Sequence, residues 1–573
     1  MLAGPLFSRE ALITPRQLKH FLTRSGYVAG LFVLIYTAGQ VTFGWQNVQT
    51  VGATARFGAF VFQVLSLVQL SLVIAFSLLA AASSVAQEKD RRTLILLLMT
   101  DLRDRELVMG KLLGSLLSVL VLIAASVPVF FIVSMLGGTT VQQILWAQAV
   151  CVLTGLAAGS WGSLVAFWRE KTFQTLAIGA LGIVLFMGAI EGIVGIVGDA
   201  SPLAAIGALN PYRTLSYILN PLAMDAGRIE QNVTTSLIAL AVLSTALMVF
   251  TVVMLRRWNP SKSVFHAAKE DADKKTEVSG QTREIWNSPL IWREIRTRAY
   301  GRKVFLIKLA YLALAAFVVL LVQQTAGSDT MVLGMISAEG FAFIALALVG
   351  LMLVNAQAVT SVTSERDGQT LELLLVTNVT AKEFVFSKLG GVFYNTKEVI
   401  IVPLLLVAWY TFQGQGTLEN AFYLVIGYIA VVLFTAMLGL HAGFSYDSSR
   451  TAIANSLGTV FFLFIGIFIC MMLMVEAQAS FSLQFAPFLM FIVGGSLGLY
   501  TSLTARNPSR ALGFAAGVLP FCTFYAITSF LLGNTLGVSL MVVFAYGFPT
   551  IAMLVPAVSE FDVALGRTTL DKG

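Results

Sequence analysis

Residues 88–111 read EKDRRTLILLLMTDLRDRELVMGK, and residues 365–388 read ERDGQTLELLLVTNVTAKEFVFSK. Compared at an offset of 277, stretches 84–112 and 361–389 share 14 of 29 residues, among them Glu88/Glu365, Asp90/Asp367, Thr93/Thr370, Leu94/Leu371, Leu97/Leu374 and Lys111/Lys388. Lys89/Arg366 and Arg105/Lys382 keep their charge. A second match joins GPLFSREALITPRQLK (4–19) to SPLIWREIRTRAYGRK (288–303), with Pro5, Leu6, Arg9 and Glu10 answered by Pro289, Leu290, Arg293 and Glu294. A third pairs Lys171-Thr172 with Arg450-Thr451. Three blocks recurring in the same order make the chain a duplicated unit.

Between these charged blocks the sequence is apolar. Of 573 residues 57% are hydrophobic and 12% charged, with a mean hydropathy of +0.83, too little polar surface for a water-soluble protein of this size. Apolar runs of about 20 residues, long enough as helices to cross a bilayer core, recur throughout. Six fall before residue 258 (27–45, 58–84, 108–135, 142–166, 173–197, 234–254) and eight after 285 (304–322, 340–361, 391–411, 420–443, 452–475, 487–503, 511–532, 537–557). The expected fold is an all-α polytopic membrane protein with fourteen spans. It divides into a first half (1–258), a polar linker (259–284), a second half (285–510) and two additional spans with a short tail (511–573). Both halves start on the same side, so the repeats run parallel, related by a pseudo-two-fold axis along the membrane normal.

With alternating spans and a cytoplasmic N-terminus, 34 of the 37 Lys and Arg fall on the cytoplasmic side, leaving only Arg56, Arg213 and Arg228 outside. Both termini are expected to be cytoplasmic. The net charge of +7 is thereby a matter of topology, not of nucleic-acid binding. The first 26 residues are polar and basic for too long to be a cleavable signal peptide. Cys151, Cys470 and Cys522 lie in apolar runs without metal spacing, and His20, His266 and His441 are isolated, so neither a metal site nor catalysis is expected. No G-x-x-x-x-G-K-[ST] phosphate loop occurs; VMGKLLGS at 108–115 lacks its first glycine and its spacing.

In the repeated segment Leu94, Leu97 and Leu98 share one helix face, as do Leu371, Leu374 and Leu375. The spacing predicts a short helix along the membrane surface, ended by a turn near Thr100 or Thr377. Thr380-x-x-Glu383 is a capping box that opens the next span. A helix tied so closely to two spans would move both when pushed. Lipid attraction would favour basic residues, so the retained acids at 88, 90, 365 and 367 suggest that a protein surface faces this segment.

The pattern SERDGQTLELLLVT followed by AKEFVFSK resembles the permease subunits of ABC-2 type ABC transporters. The resemblance implies that the segment is a coupling helix docking on a separate ATPase. Glu365, Asp367, Gly368, Thr370, Leu371, Glu372 and Leu374 would carry the coupling in the second copy, and Glu88, Asp90, Thr93, Leu94 and Leu97 in the first. Arg9-Glu10 and Arg293-Glu294 would belong to connecting helices before each half. It further implies an exporter in a prokaryotic plasma (inner) membrane, with ATP and Mg held by two ATP-binding subunits and no cofactor held by this chain. The first copy departs from the pattern: Arg91-Arg92 replaces Gly368-Gln369, and Ile95 replaces Glu372.

Glu191, Glu339, His441 and Glu476 are ionisable residues within or at the ends of spans and are functional candidates on that ground. Gln63, Gln69, Asn355 and Gln357 are expected to bond helices together. The stretch 198–233, with its three prolines, resembles the family's outer segment before the sixth span, with a re-entrant piece. Two other readings compete. An ion-coupled secondary transporter would place paired charges deep in the spans, and a non-transporting scaffold would only recruit partners. The substrate is unknown from the sequence.

Overall fold

The computed structural model describes residues 4–13, 18–44, 50–198, 202–220, 226–259, 288–296, 304–325, 336–371, 374, 379–477, 481–504 and 509–559. Among these, fourteen helices are long and apolar enough to cross a membrane, one for each apolar run. The first half comprises α1 (Gly4–Ile13), α2 (Leu18–Phe43), α3 (Val51–Asp90), the short α4 (Leu94–Leu98), α5 (Asp104–Met135), α6 (Val141–Trp168), α7 (Thr172–Val197), a 3-10 turn (Pro202–Leu209), α8 (Pro211–Leu219) and α9 (Ala226–Trp258). The second half comprises α10 (Pro289–Arg296), α11 (Val304–Thr325), α12 (Ala338–Asp367), α13 (Ala381–Phe412), α14 (Leu418–Ser445), α15 (Ser449–Ala477), α16 (Phe481–Leu503), α17 (Arg510–Leu531) and α18 (Thr535–Ser559). Most of the linker expected at 259–284 lies outside the described residues.

At 40 residues, α3 is twice the length a bilayer core requires, and it ends on the polar residues Gln87–Asp90. The expected capping box is present: the Thr380 hydroxyl accepts from the Glu383 amide while the Glu383 carboxylate accepts from the Thr380 amide.

Apolar helices in lipid gain little from hydrophobic burial against each other and associate through close packing, which favours small residues. The two halves apply this rule at equivalent positions. In the first, α6 lies along α3, and a Cβ added to Gly162 would meet the Leu78 carbonyl oxygen at 2.9 Å. In the second, α14 lies along α12, and a Cβ on Gly439 would meet the Asn355 carbonyl oxygen at 2.8 Å. Both residues of each pair differ by the same 277. The connecting helices repeat as well. Glu10 of α1 packs over Gly114 of α5, and Glu294 of α10 over Gly391 of α13.

Contacts between the halves are reciprocal: α3 touches α15 while α12 touches α7, and α7 touches α11 while α15 touches α2. A two-fold relation produces this exchange. Leu79, Phe173 and Leu176 join Tyr311, Leu353, Val359, Ile453 and Leu457 in one buried cluster across the junction.

The halves differ after their fifth span. In the first, the 3-10 turn and α8 fold back onto α7, α6 and α9, with Leu215 and Ile218 buried and the Tyr212 hydroxyl 2.8 Å from that of Ser71, midway along α3. Helix α9 then runs along α6. In the second, the paired helices α16 and α17 occupy this place in the chain, and the helix that runs along α14 is the last one, α18.

Candidate functional site

Where α3 and α12 end, the chain makes the same turn twice. The amides of Arg91 and Gly368 donate to the carbonyls of Gln87 and Ser364, and those of Thr93 and Thr370 to Glu88 and Glu365. Arg92 (φ 59°) and Gln369 (φ 54°) both take the left-handed conformation. Gly368 itself has φ −78°, as does Arg91, so the glycine of the second copy meets no backbone requirement and its replacement by arginine leaves the turn unchanged.

The side chains of this turn fasten it to neighbouring spans. Lys111 of α5 lies 2.7 Å from the Glu88 carboxylate, which also accepts a hydrogen bond from the Thr93 hydroxyl. Lys388 of α13 lies 2.7 Å from Glu365 and 2.8 Å from Glu294, and Arg293 pairs with both carboxylates. Burial acts against the Arg293 charge, but Glu365 and Glu294 outweigh it and raise its pKa above the usual arginine value. Lys89 donates to the carbonyls of Phe167 (2.5 Å) and Arg169 (2.9 Å) at the end of α6. Arg366 does the same for Phe444 (3.5 Å) and Tyr446 at the end of α14, and donates to Gly443 as well. Carbonyls in the last turn of a helix lack intrahelical partners, and a cation there also opposes the helix dipole. The conserved charge at 89/366 thus serves one purpose in both copies.

Within the chain Glu88, Asp90, Glu365 and Asp367 each have a side-chain partner. Asp90 accepts from the Thr172 hydroxyl at the start of α7, and Asp367 is met by Arg91 from the other half at 3.3 Å. Among the exposed residues of the first copy, beside Arg91, Arg92 and Arg103, two are large and apolar. In α4, Leu94 and Leu98 are buried against Val85, Leu107, Val108 and Phe167, whereas Leu96 is 63% and Met99 73% exposed. Leu371 is buried and Leu374 packs beside it against the second core. Glu372 lies outside the described residues, as does the side chain of Glu476.

Between the two turns lies a cleft of about 330 Å³, lined from the first half by Lys89, Asp90, Arg92 and Lys171 and from the second by Ser364, Glu365, Thr370 and Lys388. The connecting helices are unequal partners here. Glu294 is buried in the Lys388 network, while Arg9 and Glu10 are exposed and form no ion pair among the described residues.

The remaining candidates hold structure together. Asn210 donates to Glu191 at 2.7 Å, and Arg213 lies 3.7 Å away, so this carboxylate anchors the folded-back segment 202–219 to α7. Glu339 sits in the first turn of α12, where an acid suits the helix dipole. An imidazole nitrogen of His441 in α14 is 2.9 Å from the Leu503 carbonyl of α16. Gln69 bonds to Gln148 and Ser126, and Asn355 to Ser456 and the Thr435 carbonyl, linking three helices in each half. Gln357 departs from this pattern, because both polar atoms of its buried amide lack a partner. The sequence reading missed the pair Lys308–Glu398, 2.7 Å apart between α11 and α13. Its only sequence signal is a glutamate and a lysine each set inside an apolar run.

Residues 31–255, which run from within α2 almost to the end of α9, match the family model described as ABC-2 family transporter protein. This segment is similar to the ABC-2 transporter family. No curated protein and no solved structure matches the chain. The matched segment contains the first turn, α4 and the Glu88–Lys111 pair.

Proposed function

We propose that this chain is the membrane subunit of an ABC exporter, with both ABC-2 type halves fused, driven by two copies of a separate ATP-binding subunit. The observation that carries this reading is the duplicated turn. Glu88–Lys111 and Glu365–Lys388 bind the end of one span to the start of the next in each half, so a force on either surface segment reaches two spans. The ATP-binding subunits press on the outward apolar side of α4, at Leu96 and Met99, and on its counterpart in the second half. Nucleotide-driven closure rocks one half against the other and alternates access. The basic end, which holds the turns and the connecting helices, is cytoplasmic, and the membrane is a prokaryotic plasma membrane. The packing of α18 along α14 favours counting it as the sixth span of the second half, with α16–α17 as the additional pair in place of the outer fold-back, and not the last two spans.

Purification of the full chain from its native membranes in mild detergent tests this reading. An ATP-binding chain should co-elute and hydrolyse ATP, and Leu96→Asp with Met99→Asp should release it while leaving the melting temperature of the permease unchanged. A folded wild-type chain that elutes alone overturns the proposal.

One observation favours an ion-coupled transporter instead. Lys308, one turn into α11, and Glu398, midway along α13, form an ion pair inside spanning helices. Uptake or efflux driven by a proton gradient without ATP, and abolished by Glu398→Gln, would establish that alternative.

A further inference from the structure

The Lys308–Glu398 pair has no equivalent in the first half, and the difference exposes a cation. The match between the connecting helices continues into the first span of each half at the same offset of 284, joining Lys19, Phe21, Leu22, Arg24, Tyr27 and Ala29 to Lys303, Phe305, Leu306, Lys308, Tyr311 and Ala313. Arg24 therefore stands where Lys308 stands. The residue equivalent to Glu398, at the offset of 277 that also relates Gly114 to Gly391, is Val121. The first half keeps the cation and lacks its internal counter-ion.

Arg24 is in the second turn of α2 and is exposed; its one aromatic neighbour is Phe21, 5.4 Å from the guanidinium, and it forms no ion pair among the described residues. It opens onto a groove of about 430 Å³ whose wall continues along Ser25, Val28, Ala29 and Phe32 of α2 to Ala125 of α5. A cation at the basic end of a spanning helix, followed by an apolar trough along the helix, matches an amphiphile with an anionic head and a hydrocarbon tail. We propose that this groove binds one anionic phospholipid from the leaflet at the basic end, with its phosphate on Arg24 and an acyl chain along Val28 and Phe32. The lipid phosphate serves the first half as the Glu398 carboxylate serves the second. This site does not depend on which energy source drives the protein.

The test uses the purified full chain, reconstituted with phosphatidylcholine and increasing phosphatidylglycerol, with retained lipid counted by native mass spectrometry. The wild type should retain phosphatidylglycerol preferentially. Arg24→Gln should weaken that retention roughly fivefold, the effect of one basic residue on anionic lipid. Val121→Glu, which restores the counter-ion of the second half, should weaken it similarly while leaving Arg24 in place. Both variants should melt like the wild type in phosphatidylcholine alone. Unchanged retention in either folded variant overturns the proposal. So does displacement of the retained lipid by inorganic phosphate at millimolar concentration, which would mark a site for free anions.

Discussion

Arg91 of the first half and Asp367 of the second meet across the junction, with Nε 3.3 Å from Oδ1. Arg91 is half exposed, but the Asp367 side chain is only 2% exposed, and its other oxygen is buried without a partner. The contact occurs at the one place where the first turn replaces the glycine of the second, so the substitution adds a tie between halves at no cost to the backbone.

Arg91→Gly, which makes the first copy like the second, should destabilise the chain by about 1–3 kcal/mol, because a buried carboxylate loses its counter-charge. Arg91→Asp combined with Asp367→Arg should recover much of the loss. Thermal unfolding in detergent measures both. A double variant no more stable than Arg91→Asp alone would show that the pair does not link the halves.

The two lysines of the repeated turn should not be equally important. Lys388 is 3% exposed and serves two carboxylates, whereas Lys111 is 20% exposed and serves one. Lys388→Met leaves two acids to share Arg293 alone and should cost about 3 kcal/mol, against about 1 kcal/mol for Lys111→Met. The same unfolding measurement compares them directly, and equal losses would contradict the difference in burial.

Gly162→Ala and Gly439→Ala should each cost about 1–3 kcal/mol, since the new methyl group must push a partner backbone away. Gly517→Ala is the control, because nothing lies within 4 Å of a Cβ there and helix propensity alone should make it neutral or slightly stabilising. Circular dichroism melts of the three variants decide whether close approach or glycine loss as such is responsible.

Glu191→Gln should loosen the fold-back at 202–219 without unfolding the bundle, as Arg213 loses its ion pair and Asn210 keeps only a neutral acceptor. A cysteine introduced at Ser216 in a background lacking the three native cysteines should then react faster with a membrane-impermeant reagent. An unchanged rate would mean that the packing of Leu215 and Ile218 alone holds the segment.

Much of the site was legible because duplication makes a sequence its own comparison. Glu88, Thr93 and Lys111 recur as Glu365, Thr370 and Lys388, and the structure brings these three together in each half. Their direction was not legible. An acid near a helix end is compatible with an outward surface or an inward lysine, and only the position of α5 or α13 beside the turn selects between them.

Periodicity and length determined the fourteen helices and their order, because an apolar run of about 20 residues has few alternatives to a spanning helix, and the matched residues of the three blocks determined the duplication. Tertiary structure decided what depends on juxtaposition: that Arg91 reaches Asp367 across the junction, that Glu191 contacts the fold-back at 202–219, and that α18 takes the place along α14 that α9 takes along α6. The physical reason is common to all three. Apolar helices in lipid are nearly interchangeable by hydropathy, so close-packed glycines and a few buried ion pairs choose their neighbours, and those contacts join residues far apart in the chain.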